Sequence, residues 1–433
     1  RRDGMVFDHN GERILVTKGA PEAVFPLAEV SEKDRLNALR IFESLSKEGY
    51  RVIALATKTC DKTQDYFKVS DEQGAKFAGF IAFFDPPKKD IAPLLDDMYR
   101  KGIEIKIITG DHLLVALHIA REVGIHIKGT LTGEEIIKLS EEELNKRVEN
   151  TNIFARIMPE DKDRIIQALK NNKHVVGYMG DGINDSPALR RADVGISVEN
   201  AIDVAKDSAD IIVLTKGLGE LVSGVVEGRK TFANTTKYIT MSLASNFGNM
   251  FSMTLAVVFL PFLPMLPVQI LLNNLLYETS QFALSWDNVE PQILKKPRPW
   301  NLKFIKRFMI YFGTLSSFFD ITAFFILYKI FSLYGGAFQT GWFLESFATQ
   351  ILVVFVVRSH KSIFQAIHPH LLVIITTLSA LTIAWFLGLS KFGQIFGFES
   401  VPKMAILSIG VIVVIYLISA ETLKNYFYKR FAI

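Results

Sequence analysis

Two carboxylates and an amide stand close together in the stretch Met179-Gly180-Asp181-Gly182-Ile183-Asn184-Asp185-Ser186-Pro187-Ala188-Leu189, directly after the run His174 to Tyr178. Carboxylate and amide oxygens are hard ligands, suited to a divalent cation such as Mg²⁺ beside a phosphate. The glycines let the backbone turn sharply enough for Asp181 and Asp185 to face one ion. A second string, Thr109-Gly110-Asp111, follows the apolar run Ile105–Ile108 and opens a helical pattern, so its hydroxyl and helix amides suit a phosphoryl oxygen. Lys162 lies on a helix announced by Met158-Pro159-Glu160-Asp161, where its ammonium would neutralise phosphate charge. Arg156, just before that helix, has the fork geometry to clamp a nucleotide phosphate.

The elements that position these groups read as an α/β pattern from Val6 to about Leu214, with apolar strands alternating with amphipathic helices as in a parallel sheet covered on both faces. Expected strands are 51–57, 77–84, 104–109, 153–156, 175–179, 194–197 and 211–213; expected helices are 32–48, 93–101, 112–123, 159–170 and 200–206. The block Met5 to Thr63 reads as part of a second small domain. Ligands bind at the carboxyl ends of parallel strands, where the loops of interest lie.

Composition points beyond a soluble domain. Hydrophobic residues make up 49% of the 433-residue chain and charged residues 22%, a mixture of soluble and membrane parts. The formal net charge is only +4 and the basic residues form no stripe, so no nucleic-acid partner is expected. The single cysteine, Cys60, rules out an intrachain disulfide framework. After Thr236, six apolar spans are expected near 237–260, 265–285, 308–332, 341–357, 371–389 and 404–422. Lys295, Lys296, Arg298, Lys303, Lys306 and Arg307 crowd the second loop, Arg358 and Lys361 mark the fourth, and Lys424, Lys429 and Arg430 follow the last span. Those loops and the carboxyl terminus are expected on the cytosolic side.

These motifs together resemble a P-type ion-pumping ATPase, a family whose phosphorylation domain is haloacid-dehalogenase-like. The resemblance rests on Lys18-Gly19-Ala20-Pro21-Glu22, Asp85-Pro86-Pro87-Lys88, Thr109-Gly110-Asp111, Phe154-Ala155-Arg156 and the turn Met179 to Leu189. It implies that residues 1–63 are the C-terminal part of an α+β nucleotide-binding domain, 64–235 an α/β haloacid-dehalogenase-like phosphorylation domain, and 236–433 an all-α membrane domain of six helices. It further implies that Asp181 and Asp185 hold Mg²⁺ with support from Asn184, and that Thr109, Gly110 and Lys162 bind the transferred phosphoryl. Asp111 would position nucleotide and phosphate, Lys18 and Gly19 would line the ATP adenine pocket, Arg51 and Arg156 would reach its phosphates, and Asp85 would lie at the interdomain hinge. The family's nucleophile stands in an Asp-Lys-Thr-Gly-Thr string, which this sequence lacks. Asp61-Lys62-Thr63-Gln64 reads as a polar loop between strands, and the nucleophile is expected upstream of Arg1, since the chain opens without an initiator methionine.

In the membrane part, Asn246 and Asn249 share a helix face, as do Asn274, Tyr277 and Glu278. An ionisable group in hydrocarbon costs at least ~2.5 kcal/mol, so Glu278 is expected to face a cation pathway, with Asp320 as a second candidate. Glu345 is expected to be wet, near the outer end of its span, and Asp287 to close the second span at the cytosolic interface. The strings Phe262-Leu263-Pro264-Met265-Leu266-Pro267 and Trp286-Asp287-Asn288-Val289 look like the magnesium-transporting branch. That branch usually has aspartate where Glu278 stands. The expectation is a bacterial plasma-membrane pump importing Mg²⁺ by way of an aspartyl-phosphate; a Ca²⁺ or proton pump and a membrane-anchored phosphatase are the alternatives.

Overall fold

The computed structural model describes residues 2–64, 66–87, 91–214 and 218–431. The chain divides into two compact units, Arg1–Ser223 and Gly224–Ile433.

The first unit opens with a hairpin of β1 (Arg2–His9) and β2 (Glu12–Gly19). Asn10 and Gly11 turn it, with φ of 50° and 81°, as a two-residue turn matched to strand twist requires. After β3 (Ala28–Glu29), β4 (Arg51–Cys60) and β5 (Ala75–Phe83) complete a five-stranded sheet in the order β1-β2-β4-β5-β3. It is antiparallel except for the β3–β5 pair. The sequence reading expected this portion to end at residue 63, but β5 belongs to the same sheet. The helix Glu32–Lys47 starts at Ser31, whose hydroxyl accepts the Asp34 amide at 3.2 Å.

The remaining strands are β6 (Ile107–Ile108), β7 (Thr130–Thr132), β8 (Ile153–Ala155), β9 (Gly177–Met179), β10 (Val194–Val198) and β11 (Ile211–Val213). All of their pairings are parallel, as the periodicity requires, but they form two three-stranded sheets, β6-β8-β7 and β11-β10-β9. The expected single sheet is therefore split: β6 and β9 each have one edge unpaired among the described residues. A core built on Phe154, Ile157, Ile165, Tyr178 and Leu189 nevertheless spans both sheets. Two short helices, Gly133–Lys138 and Glu141–Glu149, lie in a stretch where the sequence reading placed no element.

In the second unit, four described helices are long and apolar enough to cross a membrane: Leu302–Ile330, Gly335–Val357, Leu371–Leu389 and Lys403–Phe431. The first two of the six expected spans differ. One is part of a single 42-residue helix, Leu218–Phe259, that begins well before residue 237. The other is the 15-residue helix Pro267–Gln281, continued by the 3₁₀ turn Phe282–Trp286. Fifteen residues rise only ~22 Å, short of a hydrocarbon core of ~30 Å.

The helices Leu218–Phe259 and Leu302–Ile330 approach at glycines. A Cβ on Gly313 would lie 2.5 Å from Phe247 and 3.0 Å from the Ala244 carbonyl, and one on Gly248 would lie 3.2 Å from the Gly313 carbonyl. Ser317 Oγ donates across this crossing to the Gly248 carbonyl at 3.0 Å.

Candidate functional site

Asp185 is the centre of the soluble site. Its carboxylate accepts from Lys162 Nζ at 2.7 Å, from the Tyr178 hydroxyl at 2.7 Å and from the Gly182 amide at 3.2 Å. Burial opposes its ionisation, but hydrogen bonds from Lys162 and Tyr178 outweigh that, and its pKa lies below the ordinary carboxylate value. Tyr178 is pushed the other way, first by burial and then by the Asp185 bond, with Asp181 adding to the effect, so its hydroxyl stays a donor. Gly180 makes the turn possible, because a Cβ there would lie 2.6 Å from the Asp185 Cβ. The Gly180 carbonyl accepts from Ser197 Oγ at 3.0 Å, which ties the turn to β10.

Thr109-Gly110-Asp111 forms a separate, rigid turn after β6. Thr109 Oγ1 donates to Asp111 Oδ2 at 3.0 Å and accepts the Asp111 amide at 3.1 Å. The backbone is stitched to β8 and its exit: the Thr109 amide donates to the Phe154 carbonyl at 2.9 Å, the Ile157 amide to Thr109 at 3.0 Å, and the Arg156 amide to Asp111 at 2.9 Å. Arg156 adopts a left-handed φ of 56° to make this connection. The helix Pro159–Asn171 follows at once, with Pro159 in its first turn, and carries Lys162 to Asp185. One short segment thus joins the hydroxyl turn to the acidic turn.

The five-stranded sheet contributes three of the predicted residues. Arg51 Nε lies 3.6 Å from Asp111 Oδ1, and Glu22, in the Lys18-Gly19-Ala20-Pro21-Glu22 string, pairs with Arg156. Gly49, at φ 90°, brings the Arg51 strand close to His118, whose Cδ2 lies 2.5 Å from where a Cβ would be. Lys18 is exposed and Gly19 half-buried at the end of β2. Asp85 and Asn184 are also exposed, and Lys88 lies outside the described residues. Asp61 accepts from the Thr63 amide at 3.0 Å and from its hydroxyl at 2.8 Å in an exposed turn, in keeping with an ordinary loop.

The donor chemistry fits Mg²⁺. Asp185 is ionised, Asp181 is exposed, and neither Gly180 nor Gly182 places a side chain over them. Among the described residues no group of three or more His, Cys, Asp or Glu is placed to hold a metal. Two carboxylates from this chain would therefore share the ion with water, phosphate or another segment.

The membrane unit places its polar groups differently from the sequence reading. Glu278 and Asn246 are exposed and Asn274 is half-buried, because the face of the helix Pro267–Gln281 turned inward carries Asn273, Tyr277 and Gln281 instead. The buried cluster is built on Gln350, whose Oε1 accepts from Asn273 Nδ2 at 3.0 Å and from Asn249 Nδ2 at 3.4 Å. Among the described residues, Gln350 Nε2 and Asn273 Oδ1 have no hydrogen-bond partner. Asp320 is buried, but both oxygens meet donors: Ser252 Oγ at 2.6 Å and Trp342 Nε1 at 2.8 Å. Glu345, expected to be wet, is 0% exposed. Asp287 does not stand alone at the end of its span; it accepts from Lys237 Nζ at 2.8 Å and from both Arg358 Nε at 3.0 Å and Nη2 at 2.8 Å. Sequence reasoning missed Tyr178, Asn273 and Gln350. A lone amide in the apolar string Ala348-Thr349-Gln350-Ile351-Leu352 was the one available signal for the last.

Residues 9–193 match the family model of haloacid dehalogenase-like hydrolases, and residues 262–426 match that of the cation transporting ATPase C-terminus. A magnesium-transporting ATPase, P-type 1, of Salmonella typhimurium is 40% identical over 438 residues, covering 98% of this chain and 48% of that protein. The chain belongs to the P-type ATPases. The protein of the same name in Escherichia coli K12 is 43% identical over 83% of the chain and 42% of its own length. A calcium-transporting ATPase of Listeria monocytogenes is 32% identical over 67% of the chain and 35% of its own length. The chain spans about half the length of the magnesium-transporting P-type ATPases it matches.

Proposed function

We propose that this chain supplies the phosphate-handling and cation-binding half of a P-type ATPase that couples ATP hydrolysis, by way of an aspartyl-phosphate, to Mg²⁺ import across a bacterial plasma membrane. The observation that carries the reading is the Asp185 carboxylate, held ionised by Lys162 and Tyr178 beside exposed Asp181. Mg²⁺, bound by Asp181 and Asp185, would offset phosphate charge. The chain's own residues do the rest. Thr109 and Gly110 would receive phosphoryl oxygens and Lys162 would neutralise them. Arg51 and Arg156 would hold nucleotide phosphates, Lys18 and Gly19 the adenine, and Asn184 would support the acidic turn.

The nucleophile would arrive on a further strand. The free edges of β6 and β9, whose following loops carry Thr109 and Asp181, support pairing with a strand that ends at the same level. In the membrane domain, Asn249, Asn273 and Gln350 would bind the transported cation, with half-buried Asn274 and exposed Glu278 joining from the adjacent face of the helix Pro267–Gln281. The Leu218–Phe259 helix and the Pro267–Gln281 segment with its 3₁₀ extension would complete six spans, with basic loops and carboxyl terminus cytosolic. Amides suit a cation that keeps part of its water shell, as Mg²⁺ does. A buried amide cluster also weighs against a phosphatase that is merely anchored, because an anchor needs no such groups.

The test is phosphoenzyme labelling from ATP in the complete ATPase. Asp185→Ala abolishes labelling while Asp61→Asn leaves it intact; normal labelling in Asp185→Ala removes the site assignment. Gln350→Ala lowers Mg²⁺-stimulated turnover, and stimulation by Ca²⁺ in place of Mg²⁺ would reassign the ion.

A further inference from the structure

The two arginines assigned to nucleotide phosphates each face a carboxylate from the other part of the first unit. Arg51, on β4, has its Nε 3.6 Å from Asp111 Oδ1, and Glu22 Oε1 pairs with Arg156 Nη2 in the reverse sense. Glu22 leaves a turn whose Pro21 and Val24 are buried, so its backbone is anchored. Arg156 is anchored as well, by its amide bond to the Asp111 carbonyl at 2.9 Å, made at a φ of 56°. Its Nη1 lies 3.7 Å from Glu134 Oε1. His112 Nε2 lies 3.9 Å from the same Glu22 oxygen, but burial and then the Arg156 charge hold its pKa below the ordinary imidazole value. Near neutrality the charged contact to Glu22 therefore comes from Arg156 and not from His112.

Both edges by which a guanidinium grips an anion with two nitrogens include Nη2, the nitrogen that Glu22 holds. A phosphate that takes Arg156 by either edge therefore meets the Glu22 carboxylate, and two anions on one nitrogen repel. The resident pair is exchangeable. The Arg156 and Glu22 side chains are 23% and 46% exposed, and an ion pair so open to water contributes little to stability. A phosphate brings more charge and more acceptor oxygens to the same fork, so it wins the exchange once it has displaced the carboxylate. We propose that Glu22 is an internal competitor of the nucleotide phosphates for Arg156, a carboxylate that ATP must displace and that sets ATP affinity below what the arginines alone would give. Glu22 is a positioning residue that acts through Arg156. Its role as competitor rests on the assignment of Arg156 to a nucleotide phosphate; the ion pair itself does not.

Equilibrium binding of ATP to the complete ATPase, with Mg²⁺ chelated to prevent turnover, tests the competition. Glu22→Gln keeps the side chain's size, removes its charge, and tightens ATP binding about threefold, the factor that an open ion pair supplies. Adenosine, which brings no phosphate, binds wild type and Glu22→Gln alike. The gain disappears in an Arg156→Ala background, where no guanidinium is left to compete for, and is absent in Glu12→Gln, an exposed acid at the far end of β2. If Arg156→Ala weakens ATP binding while Glu22→Gln leaves it unchanged or weaker, the competition is overturned. Equal tightening of adenosine overturns it too, since the effect would then lie in the adenine pocket. If Arg156→Ala leaves ATP affinity unchanged, the assignment of Arg156 to phosphate fails and the competitor role falls with it. Should Glu22→Gln not fold, Glu22→Asp decides: its carboxylate is drawn back by one methylene, a smaller gain for ATP over adenosine is expected, and no gain counts against the proposal.

Discussion

Replacing Lys162 with methionine isolates the interaction on which the soluble site depends. The side chain keeps its volume and helix propensity, and only the ammonium is lost. Lys162 and Asp185 side chains are 14% and 12% exposed, and their 2.7 Å contact is one of three hydrogen bonds on the carboxylate. A hydrogen bond to a charged group contributes ~1.5–3 kcal/mol; with Tyr178 and the Gly182 amide still in place, about 2 kcal/mol is expected, roughly a thirtyfold rise in local opening. Hydrogen exchange at the Gly182–Leu189 amides reads this directly. Tyr178→Phe removes a neutral donor and should cost about 1 kcal/mol, roughly fivefold. The pH dependence has a fixed sign. Because Asp185 has a depressed pKa in the fold, its contribution is present above the ordinary carboxylate value and fades as pH falls through the lower folded value. Lys162→Met should therefore differ most from wild type near neutrality and converge with it in acid. Protection unchanged within twofold, or a larger effect from Tyr178→Phe, would refute the assignment of Lys162 as the principal partner of Asp185.

Gly180→Ala would put a methyl 2.6 Å from the Asp185 Cβ, so phosphoenzyme formation by the complete ATPase should fall far more than its thermal stability, which overpacking lowers by ~1–3 kcal/mol; equal activity at normal stability contradicts the close-packed turn. Gly49→Ala combines a φ of 90° with a contact at 2.5 Å to His118, and should destabilise the first unit by more than ~1 kcal/mol in a denaturant titration. Asp287→Asn strips a 3%-exposed acid from Lys237 and Arg358, and thermal unfolding in detergent should show a loss of ~3–5 kcal/mol. Asp61→Asn should leave every activity unchanged, and any loss of phosphoenzyme would revive that loop as a reaction centre.

The alternation of apolar runs and amphipathic stretches made the α/β portion legible, and the helix Pro159–Asn171 was readable from its proline and acidic first turn. The acidic turn was legible because glycines and hard ligands occur together. What escaped was long-range. Nothing local distinguishes one parallel sheet from two, since edge pairing depends on segments far away in sequence. Inward and outward faces of a membrane helix were equally hidden, because hydrocarbon outside and side chains inside are similarly apolar. Asn273 and Asn274 differ by one position and by which of them meets Gln350, and Glu345, near the outer end of its span by sequence, is buried because its depth depends on the helices around it. Tyr178 ends the run that leads into the acidic turn, where nothing local marks its hydroxyl; its bond to Asp185 at 2.7 Å is a matter of tertiary placement.

The paired bare positions Gly248 and Gly313 set the spacing of two membrane helices by what they omit. With no Cβ on either, backbone meets backbone, and the separation is dictated by peptide groups alone. Ser252 lies one turn beyond Gly248, and Asp320 two turns beyond Gly313, so their 2.6 Å contact inherits that separation. A methyl added at the crossing would wedge the rods apart and unlatch a polar contact it never touches. The meeting of hydroxyl and carboxylate inside the bundle is in this sense governed by two hydrogens.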